Sequence, residues 1–395
     1  MILTKKQEIG LEVAVQRYRL GMPWTCIAGY AGSGKSTLIN FIIAALDVDP
    51  ETEVCYVAYT GKAATVLKSK GCPNAITAHK LLYHAKQLPD GKYFYKKKTV
   101  LEQNYKVIVV DEISMLPKPM WDLLLTHKIY VLATGDPGQL PPIDKDADNH
   151  VLDNPHVFLD EIMRQAQDSE IIRLSMWVRE GKPLATFPCQ NQQVQIVEKN
   201  QVVLGMYEWA DQILCATNAT RNGINNEFRM LRGFGEEPQI GDKIISLHNH
   251  WDDFSESGNW VLTNGSIGTL GDHHIYQQEF PKWISEVPIP YLYADMLLED
   301  DDMFFKVPID YQALKTGTPA MNGKQTYLVN KSKTLPDAPY DFAYAYAITT
   351  HKAQGSEWNK VLVIEEGFPF SPEEHKRWLY TAITRAKDRL VVVKK

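Results

Sequence analysis

The stretch "GYAGSGKST", from Gly29 to Thr37, decides how the first part of this chain folds. It matches the pattern G-x-x-x-x-G-K-[ST], follows the apolar run "TCIA", and leads into the helix-like stretch "KSTLINFIIAAL". The glycines allow backbone N–H groups to turn inward, and the N-terminus of the next helix adds a positive end. The sequence therefore predicts a strand, a phosphate-binding loop and a helix, against the plainer alternative of a flexible glycine turn.

This loop predicts a site for ATP and Mg²⁺. Its backbone N–H groups are expected to surround the β- and γ-phosphate oxygens. Lys35 is expected to neutralise phosphate charge, and the Ser36 hydroxyl is expected to bind Mg²⁺. The loop residues expected to contact the nucleotide are Gly29, Gly32, Ser33, Gly34, Lys35, Ser36 and Thr37.

Two later segments place polar residues directly after apolar runs. "VIVVDEIS" puts Asp111 and Glu112 at the tip of a strand, where adjacent side chains point to different sides. Asp111 is expected to hold Mg²⁺ through its waters, and Glu112 to orient and deprotonate the attacking water. "ATGDPGQLPPI" holds Gln139 in a stiff turn, where its amide can sense the γ-phosphate. The alternatives are a solvated acidic turn for the first segment and a purely structural turn for the second.

The first third of the chain alternates short β-branched runs with helical stretches, which predicts a parallel sheet covered by helices. Its candidate strands are "TCIA", "EVCYVA", "VIVV" and "IYVLAT". Ligands bind beyond the carboxyl ends of such strands, so the loops that follow them are expected to form one site. A second alternating block starts near "QILCATN" and resumes at "FAYAYAITTHKAQGSE" and "KVLVIE". Residues 239–336 lie between the two parts of this second block. They contain the short extended runs "KIISLH", "WVLTNGSIGTL" and "TYLVN", a pattern that predicts a small inserted β-barrel.

Composition restricts the class of protein. The 395 residues are too many for one ordinary core, and 44% hydrophobic residues are ample for globular packing. The apolar runs are too short to span a bilayer and the N-terminus lacks a signal-like core, so a cytoplasmic protein without membrane association is expected. The net charge of −6 argues against a uniformly basic coat for nucleic acid but allows a local basic groove. The five cysteines form no CxxC pair, so the sequence supports neither a zinc ribbon nor a disulfide framework.

Seven segments together resemble the motifs of superfamily 1 helicases, most closely those of the RecD/Dda-like branch. In chain order they are "GYAGSGKST", "YTGKAATVL", "VVDEIS", "GDPGQLPPI", "RQAQDSEIIRLS", "TTHKAQGSEW" and "LYTAITRAKDRL". The resemblance implies an α/β protein with two RecA-like P-loop domains, a small hairpin insertion in the first and an SH3-like β-barrel insertion in the second. The implied boundaries are 1–81 and 105–163 for the first RecA-like domain, 82–104 for its hairpin, 164–238 and 337–395 for the second RecA-like domain, and 239–336 for the SH3-like insertion.

The same resemblance implies roles for residues outside the phosphate loop. Gln7 would read the adenine, and Glu357 would approach the ribose. Arg164 and Arg385 would contact the γ-phosphate, which makes Lys35, Glu112, Gln139, Arg164 and Arg385 the implied catalytic set. The plain alternative for Arg385 is an amphipathic helix whose basic residues face water. The residues implied along single-stranded DNA are Thr60, Lys62, Thr77, His79, Thr350, His351 and Lys352.

The segment "KQLPDGKYFYKKK", from Lys86 to Lys98, interrupts the first α/β block. Its "PDG" is a tight-turn signal, and the segment is long for a simple connection, so a β-hairpin is predicted. The resemblance implies that this hairpin acts as a pin at a DNA fork. Tyr93, Phe94 and Tyr95 would then stack against the end base pair, while Lys96 to Lys98 meet phosphates. A surface hairpin with ordinary exposed tyrosines is the alternative.

The resemblance implies an ATP-dependent DNA helicase that translocates 5′ to 3′ on single-stranded DNA and unwinds duplex, with ATP and Mg²⁺ as cofactors. A P-loop ATPase that binds nucleic acid as a switch or loading factor, without processive unwinding, is the alternative. A small-molecule kinase is disfavoured because such an enzyme normally carries a single α/β core. Single-stranded DNA and a duplex fork are the implied partners, and replication or recombination proteins remain open as further partners.

Overall fold

The computed structural model describes residues 3–87, 93–141, 149–163, 168–258, 261–298, 302–332, 334–367 and 371–395, without side-chain detail at 85–87, 93–94 and 251–252. The chain divides into two compact units. The first contains Met1–Leu82, Lys98–Thr217 and Ile348–Lys395, and the second contains Tyr83–Lys97 and Asn218–Ala347.

The first unit alternates helices and strands along the chain, as the sequence predicts. Its elements within the described residues are α1 (Lys5–Arg19), β1 (Trp24–Gly29), α2 (Lys35–Ala45), β2 (Val54–Ala58), α3 (Gly61–Ser69), β3 (Ala75–Thr77), α4 (Ala78–Leu82), β6 (Val107–Val110), α5 (Lys118–Thr126), β7 (Tyr130–Gly135), β8 (Val157–Leu159), α6 (Glu170–Arg179), β9 (Val194–Glu198), α7 (Leu204–Trp209), β10 (Gln212–Cys215), β18 (Ala347–Thr349), α11 (Thr350–Ala353), β19 (Trp358–Ile364), α12 (Pro372–Ile383) and β20 (Ala386–Lys394). The four strands predicted for the first block are confirmed as β1, β2, β6 and β7.

The first sheet has the order β3-β2-β6-β7-β1-β8, and its paired strands run parallel. Its strands are buried almost throughout, which explains their continuous β-branched composition. β6, β7 and β1 are neighbours, so the loops after them emerge side by side at one edge. This topology places "GYAGSGKST", "DEIS" and "GDPGQL" next to each other.

The second sheet has the order β18-β10-β19-β20-β9, with parallel pairs between β10, β19, β20 and β9. The α/β fold with two parallel sheets is therefore confirmed. β9 was missed by the sequence patterns, because its alternation "VQIVE" is too short to separate from a loop. Helix α12 begins at a Ser371–Glu374 capping box with Pro372 in its first turn, and it leads directly into β20.

The second unit is mainly antiparallel. Its elements within the described residues are β4 (Tyr83–Gln87), β5 (Tyr93–Lys97), α8 (Asn218–Leu231), β11 (Lys243–Ser246), β12 (His250–Phe254), β13 (Val261–Leu262), β14 (Ile267–Gln278), β15 (Ile289–Leu297), β16 (Met303–Asp310), α9 (Tyr311–Thr316), α10 (Gly323–Lys331) and β17 (Phe342–Tyr344). β16, β15, β14, β11 and β17 form one sheet in that order, and β12 pairs with β13. β4 and β5 pair antiparallel across the 82–104 segment. The SH3-like assignment of this strand-rich insertion stays a prediction.

One expectation for the insertion is wrong. "TYLVN", predicted as an extended run, lies inside helix α10. The Asn322 side chain caps this helix and Gln325 completes the capping box, while Val329 packs into a local apolar cluster. A helix cap outside the apolar run therefore overrode the β-propensity of its residues.

Within the described ranges, no helix combines the length and the apolar character needed to cross a membrane.

Candidate nucleotide and nucleic-acid site

The phosphate loop is folded around an interior of backbone polar groups. Gly34 adopts a left-handed conformation with φ of 79°, and a Cβ there would collide with the Gln7 amide. The Lys35 ammonium donates to the carbonyls of Gly29 at 2.7 Å and Tyr30 at 3.2 Å. The Ser33 hydroxyl is buried without a hydrogen-bond partner. A phosphate fits this loop, because it would give both the ammonium and the hydroxyl a charged acceptor.

Gln7 lies against this loop although it is far away in sequence. Its side chain is 1% exposed, and its amide nitrogen lies 3.3 Å from the Ser33 carbonyl and 3.4 Å from the Gly34 carbonyl. Its amide oxygen accepts from the Thr4 backbone N–H, in the capping box that starts α1. Helix α1 thus holds Gln7 beside the predicted nucleotide site. Gln7 is therefore a buried residue and not a surface glutamine.

Two carboxylates follow β6 at the edge of the first sheet. Asp111 accepts from the Thr134 hydroxyl at 2.9 Å, and Glu112 accepts from the Gln139 amide at 3.3 Å. The second carboxylate oxygen of Glu112 is buried and has no partner. Glu112 also has a positive φ of 51°, which is uncommon outside glycine. The unpartnered oxygen of Glu112 can accept a hydrogen bond or a proton.

Burial raises the pKa of Asp111, and the neighbouring negative charge of Glu112 raises it further. A cation beside Asp111 would oppose this shift. In the described part of the chain, no cluster of three or more His, Cys, Asp or Glu side chains is arranged to hold a metal alone. The Asp111 carboxylate and the Ser36 hydroxyl are oxygen ligands of the kind that hold Mg²⁺ together with nucleotide phosphates, so these residues fit Mg²⁺.

Helix α12, which connects β19 and β20 of the second sheet, contacts the phosphate loop. The Tyr380 hydroxyl donates to the Asp136 carboxylate at 2.6 Å and accepts from the Ala31 backbone N–H at 2.9 Å. Thr381 accepts from the Leu140 N–H at 2.9 Å, and the Gln354 amide donates to the Leu140 carbonyl at 3.0 Å. Sequence reasoning missed these residues, and the only signal for Tyr380 was its place inside "LYTAITRAK".

A cation–π contact also joins the second α/β block to the phosphate loop. The Arg179 guanidinium, at the end of α6, lies 3.5 Å from the centre of the Tyr30 ring in the phosphate loop. No motif that the sequence analysis used includes Arg179. Only the packing of α6 against α12 brings Arg179 to the loop.

Arg385 is buried at the end of α12, with 4% exposure, so the alternative of a solvent-facing basic residue is wrong. Its guanidinium donates to the Thr381 carbonyl at 3.0 Å and to the Thr384 hydroxyl at 3.1 Å. Glu357, predicted near the ribose, forms salt bridges with Lys70 at 3.6 Å and with Lys387. Arg164 lies outside the described residues.

The residues predicted to lie along DNA in the first block are held by their own helices. Thr60 caps α3 by accepting from the Ala63 N–H at 3.2 Å, and Thr77 accepts from the Lys80 N–H. Burial lowers the pKa of His79, whose ring lies 5.7 Å from that of Tyr59. Thr77 is buried, with 7% exposure, and Thr60 and His79 are partly buried.

The segment after α11 in the second block lies close to α3 in the first block. The Lys62 ammonium is 4.6 Å from the Trp358 ring centre, and a Cβ at Gly355 would lie 2.7 Å from that of Ala63. Burial also lowers the pKa of His351, and Lys352 is half-buried. Thr350 is fully buried and donates to the Cys215 carbonyl at 3.3 Å, so its hydroxyl does not face solvent.

The hairpin predicted from "KQLPDGKYFYKKK" pairs Tyr83 with Lys97 and Ala85 with Tyr95. The Tyr95 and Tyr83 rings meet edge to face at 5.7 Å. The "PDG" turn lies outside the described residues, as do the side chains of Tyr93 and Phe94. The expectation that Lys98 meets phosphate is wrong: it is 6% exposed and donates to the Lys80 carbonyl and to Glu102, which anchors the base of the hairpin.

Two protein-family models match the chain. One, described as an AAA domain, matches residues 5–201 and includes the phosphate loop and both carboxylates. The other, described as a UvrD-like helicase C-terminal domain, matches residues 344–393 and includes Tyr380 and Arg385. The two matches therefore cover both parts of the site described above.

Among curated proteins, the ATP-dependent RecD2 DNA helicase of Deinococcus radiodurans is 26% identical over 388 residues, covering 92% of this chain and 46% of the relative. The ATP-dependent DNA helicase dda of Enterobacteria phage T4 is 26% identical over 146 residues, covering 36% of this chain and 33% of the relative. The chain thus spans less than half the length of these curated relatives.

Two solved structures share the fold. The Pif1 helicase from Candida albicans matches with a TM-score of 0.54 and 19% identity, over 100% of this chain and 94% of that one. The Bacteroides Pif1 bound to single-stranded DNA matches with a TM-score of 0.55 and 17% identity, over 99% and 92% of the two chains. Its ordered motifs, the two family matches and its similarity to RecD2 and dda show that this chain belongs to the superfamily 1 helicases of the RecD type, and the Pif1 structures share its fold.

Proposed function

We propose that this chain is an ATP-dependent DNA helicase that moves 5′ to 3′ along single-stranded DNA and unwinds duplex at a fork. The observation that carries the proposal is the joint between the two sheets at the phosphate loop. Tyr380, from the helix that connects β19 and β20 of the second sheet, hydrogen-bonds the Ala31 N–H of the loop and the Asp136 carboxylate beside it. A small-molecule kinase needs no second sheet at this position, whereas a motor must link nucleotide state to movement between two α/β halves.

ATP hydrolysis would use residues from three neighbouring strands. Lys35 would bind the β- and γ-phosphates, and Glu112, with a buried and unpartnered oxygen, would accept the proton of the attacking water. Gln139 lies in the turn after β7 and donates to Glu112, and its amide would sense the γ-phosphate. Mg²⁺, held by Ser36 and Asp111, would neutralise charge on the phosphates.

Charge at the γ-phosphate would also be met by Arg164 and Arg385. Arg385 lies at the end of α12, five residues after Tyr380. Its present hydrogen bonds go to uncharged acceptors, which are the Thr381 and Ser356 carbonyls and the Thr384 hydroxyl. A γ-phosphate would be a stronger partner for the planar guanidinium, because charge-assisted hydrogen bonds are about twice as strong as neutral ones. Gln7 and Glu357 would contact the adenine and the ribose.

Single-stranded DNA would lie across the face formed by α3, α4 and α11. The close approach of Lys62 to Trp358 and of Ala63 to Gly355 supports a continuous path from the first block to the second. The contacting residues in this proposal are Thr60, Lys62, Thr77, His79, Thr350, His351 and Lys352. For Thr350 the contact would come from its backbone, since the hydroxyl is buried. The proposal also includes four structural parts. They are the first RecA-like domain at 1–81 with 105–163, the second at 164–238 with 337–395, the pin at 82–104 and the SH3-like insertion at 239–336.

The test compares ATP turnover without DNA, with single-stranded DNA, and with forked duplexes that carry either a 5′ or a 3′ single-stranded tail. A helicase of the proposed polarity should be stimulated by single-stranded DNA and should separate only the substrate with the 5′ loading tail. Stimulation without strand separation on either fork would favour the switch or loading factor. Turnover that ignores DNA would contradict both.

Affinity for single-stranded DNA is expected to fall with salt although the chain carries a net charge of −6. Each neutralised phosphate should contribute about 0.7 to the slope of log K against log salt concentration. A fluorescence titration of a labelled oligonucleotide at several salt concentrations measures this slope. Lys62→Ala should reduce it by about 0.7, whereas Lys118→Ala, an exposed lysine paired with Asp122, should leave it unchanged. A flat dependence on salt would contradict the proposed DNA grip.

Replacing Tyr93, Phe94 and Tyr95 together with alanine is expected to leave DNA-stimulated ATP turnover largely intact and to lower fork unwinding sharply. Base stacking on aromatic side chains contributes about 1–3 kcal/mol per base, and a pin uses it without touching ATP. Tyr276→Ala, which removes a 51% exposed tyrosine from β14, is the matched control and should change neither activity. Equal loss of both activities, or unchanged unwinding, would show that these aromatics do not separate strands.

A further inference from the structure

The Tyr380 hydroxyl is a two-sided connection inside the first unit. The side chain is 1% exposed, so its ring lies in the core and its hydroxyl has no access to bulk water. The hydroxyl donates to Asp136 at 2.6 Å and accepts from the Ala31 N–H at 2.9 Å. One atom therefore joins the phosphate loop after β1, the turn after β7 and helix α12.

Asp136 depends on this hydroxyl. Its carboxylate is fully buried, and its hydrogen bonds come from Tyr380 on one oxygen and from the Gly138 N–H on the other, at 2.8 Å. Burial raises the pKa of Asp136, while the Lys35 charge and the Tyr380 hydrogen bond lower it. Loss of the hydroxyl would leave a buried carboxylate oxygen and a backbone N–H unpaired, and such groups are costly to leave unsatisfied.

The geometry leaves little freedom around this connection. A Cβ at Gly138 would lie 3.1 Å from the Tyr380 ring, so the turn packs directly on the ring. Thr381, the next residue, fixes the Leu140 N–H at 2.9 Å, and Arg179 covers Tyr30, the neighbour of Ala31. Arg385 follows at the end of the same helix.

We propose that Tyr380 is a positioning residue for ATP hydrolysis. Its hydroxyl aligns the phosphate loop and the Asp136–Gln139 turn with α12, and so sets where Arg385 stands relative to the γ-phosphate. This inference rests on the proposed function, because it assumes the contact of Arg385 with the γ-phosphate. Tyr380 itself is assigned no contact with the nucleotide. It acts through the orientation of Arg385 and of the turn that carries Gln139.

Tyr380→Phe tests the proposal, because it keeps the buried ring and removes only the hydroxyl. DNA-stimulated kcat is expected to fall about 10- to 100-fold, while KM for ATP changes by less than about threefold. Tyr130→Phe is the matched control: Tyr130 is 6% exposed, and its hydroxyl donates to the Ala14 carbonyl and is hydrogen-bonded to the Thr25 hydroxyl, away from the loop. Both variants should lose a similar amount of thermal stability, but only Tyr380→Phe should lose turnover.

A double-mutant cycle with Arg385 separates positioning from a general structural effect. If Tyr380 acts through Arg385, adding Tyr380→Phe to Arg385→Ala should reduce kcat by less than about twofold further. Independent, multiplicative losses would overturn the inference, and so would normal turnover in Tyr380→Phe. Normal turnover in Arg385→Ala alone would instead count against the proposed hydrolytic role of Arg385, which distinguishes failure of the proposed function from failure of the inference.

Discussion

Replacing Lys35 with alanine is expected to abolish measurable ATP hydrolysis and to weaken nucleotide binding. The ammonium now donates to the Gly29 and Tyr30 carbonyls of the phosphate loop. Without it, phosphate charge would meet only backbone dipoles and the partly opposing carboxylates of Asp111 and Glu112. ATP turnover in the presence of single-stranded DNA, together with titration of a fluorescent nucleotide, measures both effects.

Glu112→Gln is the informative comparison for Lys35→Ala. The amide keeps the shape of Glu112 but cannot take a proton from water, so binding of Mg²⁺ and ATP should persist while turnover falls. Lys118→Ala, which removes an exposed lysine from α5, should alter neither quantity. If Lys35→Ala and Glu112→Gln lose nucleotide binding equally, the two residues do not have the separate roles proposed for them.

Arg385→Ala is expected to lower DNA-stimulated kcat by about 10³-fold, the lower range for arginines that stabilise charge in phosphoryl transfer. Arg385→Lys should restore little, because a point charge does not reproduce the planar fork of the guanidinium. The contacts of Arg385 with the Thr381 carbonyl and the Thr384 hydroxyl also hold the end of α12, so thermal unfolding must be measured alongside turnover.

The neighbouring Arg389 provides a control for this prediction. It is exposed on β20, and Arg389→Ala should leave turnover unchanged. Near-normal DNA-stimulated turnover in a folded Arg385→Ala variant would contradict the proposed contact with the γ-phosphate. Arg385 would then be a structural residue that ends a helix.

Local sequence predicted the elements that carry the chemistry, because their signals lie within a few residues. Four apolar β-branched runs specified β1, β2, β6 and β7, and the glycine spacing of "GYAGSGKST" specified the loop between β1 and α2. Local patterns failed where a neighbouring cap or a longer-range contact decided the outcome. "TYLVN" became helical through Asn322, and β9 gained its definition from pairing with β20.

The sequence by itself determined the candidates for phosphate chemistry: charge, spacing and position after strands predict Lys35, Asp111, Glu112 and Gln139. Only the tertiary structure decided which distant residues join them. Gln7 reaches the loop because α1 packs beside it, Arg179 reaches Tyr30 from α6, and Tyr380 reaches Ala31 and Asp136 from 349 and 244 residues away. When the sheets pack, the buried Tyr380 hydroxyl and the buried Asp136 carboxylate both need hydrogen-bond partners, and this need favours the observed contacts. No short sequence pattern encodes such a requirement.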